Sequence, residues 1–379
     1  MKLITQRRFI FTDTTIITDI RSALDIINQV QSNPPEDVLH ALEYLTDATT
    51  TDSMSLELWA NGTIDLLVQI IHTHFQLNVN LSLRALKALT NILANGEVRQ
   101  QANISGILTV ALYCASRSLN RFNELVGTCC RLLLILTLND MHFEKMLDFH
   151  CIEFLLNVLF TYRLEQSDII TNSMFTISRL MLHEPSLLHF HQLAGLNMVL
   201  AVARHFKHSL PSLDQHIITI IQSLGSHKST THSVQTVPVA ATVISILASA
   251  TSSSPNLIEL ATTTLSVLAS TPFMISLIGS RGGIEQLISN LQKVPDHRAA
   301  VISVLDCFHV LLSHPQTQTR FVVQNGIDAI LGILKEYPTD LQVNEKALTL
   351  FSQISKEPHA MEILQGALPE SSESSDDGS

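Results

Sequence analysis

The chain has 379 residues, 46% of them hydrophobic and only 15% charged. That is enough apolar surface to bury an extended core and too little charge for wholesale disorder. With 23 Lys and Arg against 34 Asp and Glu, the net charge is −11, which disfavours a general nucleic-acid surface, because such a surface needs clustered cations to displace counterions.

Met1 to Asp13 holds an apolar stretch too short and too interrupted for a secretory leader. Thr14 to Gln31 and Asp37 to Thr46 read as helices, the first belonging to an N-terminal helical cap (1–35) and the second to a partial first repeat. A recurring pattern follows: a small anchor residue, an apolar neighbour, then apolar positions at helical spacing. The anchors are Gly62, Gly106, Cys151, Gly195, Val239, Gly283 and Gly326, separated by 44, 45, 44, 44, 44 and 43 residues. Each opens an apolar helix, which ends at a polar break such as Leu77-Asn78, Pro211, Pro255, Pro295-Asp296 or Pro338.

A longer helix is predicted after each break: Leu81 to Leu93, Glu124 to Leu138, Ile169 to Leu182, Ile258 to Ala269, Ala299 to Leu312 and Val343 to Ile354. Leu83, Leu86, Leu89, Ile92 and Leu93 keep the 3.6-residue period on one face. A short segment such as Gln316 to Gln324 leads to the next anchor. Gly lets the chain turn sharply there without a Cβ clash, so the junctions at Cys151 and Val239 are the irregular ones. Gly225 to Val237 is polar and is expected to be a loop in place of a short helix, and a hinge.

A unit of two long helices and one short one, about 40–47 residues in length, has the armadillo/HEAT form. Gly282-Gly283-Ile284-Glu285-Gln286-Leu287-Ile288, Val323-Gln324-Asn325-Gly326-Ile327-Asp328-Ala329-Ile330-Leu331 and Ala85-Leu86-Lys87-Ala88-Leu89-Thr90-Asn91-Ile92 resemble the armadillo family. The resemblance spans residues 36–365. It implies an all-α fold, a right-handed α-solenoid of about seven to eight armadillo-type three-helix repeats. Such units bury their apolar faces only by stacking. The remainder, 366–379, is acidic and Ser-rich and is expected to be disordered; within it Ser374, with Asp377 three residues on, suits an acidophilic kinase.

In the armadillo family the third helices line a concave groove. Aligned here, one register contains Asn91, Ile135, Arg179, Gln222, Ser266, His309 and Ser352. Four residues earlier lie Lys87, Arg131, Phe175, Ile218, Thr262, Leu305 and Leu348, and seven earlier Arg84, Thr128, Asn172, Gln215, Glu259, Ile302 and Glu345. The resemblance implies repeated Trp at the second register and Asn at the first in nuclear-import adaptors; here Asn91 is the single such Asn and no Trp occupies the second. Arg84, Lys87, Arg131 and Arg179 instead resemble the catenin style, in which a basic groove holds an extended acidic partner. The candidate partner-binding residues are Arg84, Lys87, Asn91, Arg131, Phe175, Arg179, Gln222 and His309, for an extended acidic or phosphorylated protein segment. Phe175, Ile218, Leu305 and Leu348 are apolar groove contacts, or core residues if the register slips by one.

No phosphate-binding Gly loop, GxSxG elbow or HExxH pair occurs. The 17 histidines lack metal-ligand spacing, and nothing in the sequence places a Ser–His–Asp triad. No enzyme, cofactor or metal is therefore expected. The five cysteines form no CxxC pair and fall in apolar helices, so packed, reduced thiols are expected. The longest apolar run, Leu132 to Leu138, contains Thr137 and falls far short of the about 20 residues a membrane span needs. The expected location is the cytoplasm, with the nucleus as the alternative. The expected function is a protein-binding scaffold or adaptor. Its alternatives are a transport or chaperone-regulating factor gripping a folded domain, and a structural subunit of a cytoskeletal or ciliary assembly.

Overall fold

The computed structural model describes residues 19–49, 51–162 and 167–355. The expectations for the first 18 residues, for the end of the repeat array beyond residue 355, and for the acidic tail with Ser374 lie outside the described residues.

Among the described residues the regular elements are all helical, 23 α-helices and one 3-10 turn. Two helices come first, α1 (Ile20–Asn28) and α2 (Pro35–Ala48). Then follow seven triplets: α3 (Asp52–Ala60), α4 (Thr63–His74) and α5 (Val79–Ala94); α6 (Gly96–Gln101), α7 (Ile104–Ser118) and α8 (Asn123–Leu136); α9 (Phe143–Asp148), α10 (Cys151–Tyr162) and α11 (Ser167–Leu180). The fourth triplet is α12 (Glu184–Gln192), α13 (Gly195–Phe206) and α14 (Pro211–Ser226), and the fifth α15 (Thr231–Val234), α16 (Val237–Ser249) and α17 (Pro255–Leu268). The last two are α18 (Pro272–Ser280), α19 (Gly283–Lys293) and α20 (Arg298–Leu311), then α21 (Pro315–Val323), α22 (Gly326–Glu336) and α23 (Leu341–Ile354). Among the described residues no single helix is long and apolar enough to cross a membrane.

The chain divides into two compact units, Met1–Met198 and Val199–Ser379. In the first, the third helices α2, α5, α8 and α11 stack in succession. Leu42, Leu45, Leu86, Leu89, Cys130, Leu133, Met174 and Ile177 are fully buried between them. In the second, α14, α17, α20 and α23 stack in the same order, over fully buried Ile217, Ile221, Ala261, Leu265, Val304, Phe308, Ala347 and Leu350. One triplet cannot hide these side chains; its neighbour does.

The junction between first and second helices departs from expectation in one detail. At four junctions the left-handed turn is made by the residue before the anchor, His150 at φ 56°, Ala194 at 52°, Gly282 at 90° and Asn325 at 60°, and at the first junction the anchor Gly62 makes it itself, at 71°. The anchor is small for a different reason, close approach. A Cβ on Gly326 would lie 2.3 Å from the Phe321 ring, and one on Gly283 would lie 2.8 Å from the Ile278 carbonyl oxygen. Cys151 holds an anchor position fully buried, because His150 supplies the turn.

The polar stretch Gly225 to Val237 contains a short helix where a loop was expected. Thr230 Oγ1 donates to the Leu224 carbonyl at 2.6 Å, Thr231 Oγ1 to Gly225 at 3.0 Å and to His227 at 2.7 Å, and Ser233 Oγ to Thr230 at 2.6 Å. Thr230 and Val234 are fully buried. Hydroxyls thus satisfy the last carbonyls of α14, groups every helix leaves without an internal partner. The same place, six residues past the last leucine of the third helix, is used elsewhere. Arg99 donates to Leu93 at 3.0 Å, His142 pairs with Leu136 at 3.0 Å, and Thr317 donates to Leu311.

Candidate functional site

In the first unit one face of the stacked third helices carries six of the eight candidate residues. Their positions follow from helix periodicity: residues four and seven apart share a face, and the repeat length of 44 brings equivalents side by side. Arg84 pairs with Glu43 at 2.9 Å, reaching from α5 to α2. Lys87 pairs with Glu124 at 2.5 Å, reaching from α5 to α8. Lys87 holds the Glu124 carboxyl below its ordinary range, chiefly through this hydrogen bond. Arg179 Nη2 bonds Asp140 Oδ1 at 3.0 Å and the Thr137 carbonyl at 3.3 Å. Asn91 Nδ2 donates to the Thr46 carbonyl at 3.2 Å. Arg131 is exposed, and among the described residues no carboxylate pairs with it. Phe175 is half-buried.

The face therefore alternates in sign, where the sequence suggested a basic groove. Glu43, Glu124 and Asp140 neutralise three of its four cations. Two of these acids were legible: Glu43, Lys87 and Arg131 are spaced by 44 and 44 residues, as are Glu36, Asn80 and Glu124. A shallow cleft of about 280 Å³ opens between α2, α5 and α8, lined by Glu36, Leu39, His40, Glu43, Asn80, Leu83, Arg84 and Glu124.

In the second unit the predicted register is one residue early from α14 onward. Ile218, Thr262 and Leu305, aligned with groove positions, are fully buried. Burial aligns Arg179 with Ser223, Val267, Val310 and Gln353, and Phe175 with Thr219, Thr263, Asp306 and Thr349. Gln222 and His309 thus sit one position before the register to which they were assigned; Gln222 is half-buried and His309 exposed. Leu348 is 64% exposed. On the corrected register, Gln353 Nε2 donates to the His309 carbonyl at 3.1 Å, as Asn91 and Arg179 donate in the first unit.

All five cysteines are free and buried. Burial pushes the Cys114, Cys130 and Cys307 thiols up to about 12. Among the described residues no group of three or more His, Cys, Asp or Glu is placed to hold a metal ion.

No family model matches the chain, and neither does any curated protein. Solved structures do. An engineered protein superposes with a TM-score of 0.71 at 16% identity, over 91% of this chain and 81% of its own. A chain from a study of a conserved phosphorylation switch in the interaction between cadherin and beta-catenin superposes with a TM-score of 0.70 at 16% identity. That match covers 89% of this chain and 61% of the other, so the protein spans less than two thirds of that neighbour. A designed armadillo repeat protein aligns at a TM-score of 0.47 and 13% identity, over 76% of this chain and 98% of its own. The fold is the all-α, armadillo-type repeat solenoid.

Proposed function

We propose that the chain is a protein–protein interaction scaffold whose third-helix faces hold a segment of a partner protein, with binding rather than catalysis as its role. One observation supports this above the others. α2, α5, α8 and α11 stack in register and present a continuous row of partly exposed polar side chains, with Phe175 among them. Solenoids offer extended binding surfaces of this kind.

The partner chemistry we favour is an extended acidic or phosphorylated segment. Arg131 is the cation on this face that an incoming carboxylate or phosphate meets without first displacing an internal acid. Lys87, one repeat earlier, must exchange Glu124 for the newcomer. Exchanging one exposed ion pair for another gains little, so Arg131 sets the preference and Lys87 reinforces it.

The experiment is direct binding of acidic and phosphorylated peptides to the full chain, with Lys87→Glu and Arg131→Glu combined. Capture is expected to be abolished and to weaken with salt. Unchanged affinity in the double variant would remove the acidic-segment reading. A folded domain competing where no peptide does would replace it with a domain-gripping role.

A further inference from the structure

A chemical constellation absent from the sequence motifs lies in the second unit, away from the third-helix register. The α13–α14 connection ends in Lys207 and His208, two consecutive non-glycine residues in the left-handed region, at φ 44° and 65°. That costly backbone holds the His208 ring between two helices. Its Nδ1 lies 3.0 Å from Asp214 Oδ1 and 3.2 Å from Oδ2, in the first turn of α14. Its Nε2 lies 2.7 Å from Ser245 Oγ, on α16. The side chain of Asp214 is 5% exposed and that of His208 15%, while Ser245 stands at the surface.

With Nδ1–H donating to the carboxylate, Nε2 is left to accept the serine hydroxyl proton. A nucleophile hydrogen-bonded to a base, itself oriented by a third group, is the arrangement that activates a hydroxyl. We infer that Ser245 is a nucleophile that takes an acyl group from activated carboxylic esters, with His208 as its general base and Asp214 as the residue that positions His208.

In the step, Ser245 Oγ bonds to the acyl carbon as the ester C–O bond breaks. The Oγ proton passes to His208 Nε2 and from there to water, and the leaving group departs as an anion. Ser245 lies in the interior of α16, where neighbouring N–H groups are committed to helix hydrogen bonds. They supply no oxyanion site to either step, and the acyl-serine, an ordinary alkyl ester, must expel a far more basic alkoxide than the activated ester did, so it accumulates and the reaction is stoichiometric. This inference goes beyond the scaffold reading and does not depend on partner binding.

The test is p-nitrophenyl acetate with the full chain, followed by peptide mass spectrometry. Ser249, exposed on the same helix, is the internal control. General-base assistance contributes about 10²–10⁴-fold, so Ser245 is expected to acetylate at least about 100-fold faster than Ser249. His208→Gln, with an unchanged melting curve, should remove that excess. Equal rates at Ser245 and Ser249 in the wild-type chain would overturn the inference. So would a folded His208→Gln variant that keeps the excess. The wild-type ratio decides alone if that variant does not fold.

Discussion

Asn91 donates through its carboxamide to the carbonyl of Thr46, a residue 45 positions earlier, at 3.2 Å. The bond ties α5 to the C-terminal turn of α2, whose last carbonyls have no partner inside their own helix. Arg179 does the same to Thr137 and Gln353 to His309. Asn91→Ala should therefore lower stability, by about 1 kcal/mol for a lost partly buried hydrogen bond, read as a shift in the urea midpoint with an unchanged slope. An Asn91 engaged only with a partner would leave the midpoint where it was.

Leu305 and His309 separate the two possible registers of the second unit. Leu305 is fully buried, whereas His309 is exposed. Leu305→Ala should cost about 2–5 kcal/mol, and His309→Ala should stay within about 0.5 kcal/mol. Thermal unfolding of the two variants measures both. Similar small losses would restore the register predicted from sequence.

That register slip shows how far the fold was legible. Repeat length, helix type and order follow from apolar periodicity and the anchor spacing, since stacking forces the same faces inward in every triplet. The slip arises because α11 to α14 carries no repeated marker. Ile217 and Ile218 are adjacent and equally apolar, and burial chooses both. The candidate site was half legible. Arg84, Lys87 and Arg179 are where periodicity put them, and Glu43 and Glu124 keep the same 44-residue spacing, but the ion pairs they form, and the part played by Asp140, show only once the helices are stacked. His208, Asp214 and Ser245 meet through a left-handed turn on two non-glycine residues, which carries no sequence signature.

Gly283 tests whether the anchors are small for packing or for backbone freedom. Its own φ lies outside the left-handed region, whereas Gly282 before it sits at 90°. Gly283→Ala places a methyl 2.8 Å from the Ile278 carbonyl oxygen and 2.5 Å from its side chain. Relief requires moving backbone, so the expected loss is about 1–3 kcal/mol. Gly332→Ala, with nothing within 4 Å of the added carbon, should instead gain up to about 1 kcal/mol. Calorimetry of both variants reads the difference, and equal responses would reject the packing account.

The buried thiols make a kinetic prediction. Only the thiolate attacks a disulfide reagent, and desolvation keeps Cys114, Cys130 and Cys307 protonated to about 12. Cys129 and Cys151 are raised by burial as well. Labelling of the native chain by an aromatic disulfide at neutral pH should be slow for all five and become fast together in urea. A thiol that reacts at once in the native chain would mean an open first or second unit.

His216 gives the acid side of stability a sign. Burial lowers its imidazole from 6.5 to about 4, so between those values the unfolded chain binds a proton that the folded chain refuses. Stability then rises with pH across that window. It is fully present above 6.5, declines as pH falls towards 4, and loses nothing further from this group below that. Asp214, two residues earlier, works in the opposite sense. Burial raises its carboxyl above 3.8, with His208 opposing, so its contribution is largest in acid and is lost as pH rises through its folded value. The two are separated by His216→Gln, which removes one titration and leaves the other. The variant's melting temperature should fall less than that of the wild type between pH 6.5 and 4. Parallel curves would show that His216 takes up its proton equally in both states, and the burial that α14 imposes on it would have to be smaller than the structure gives.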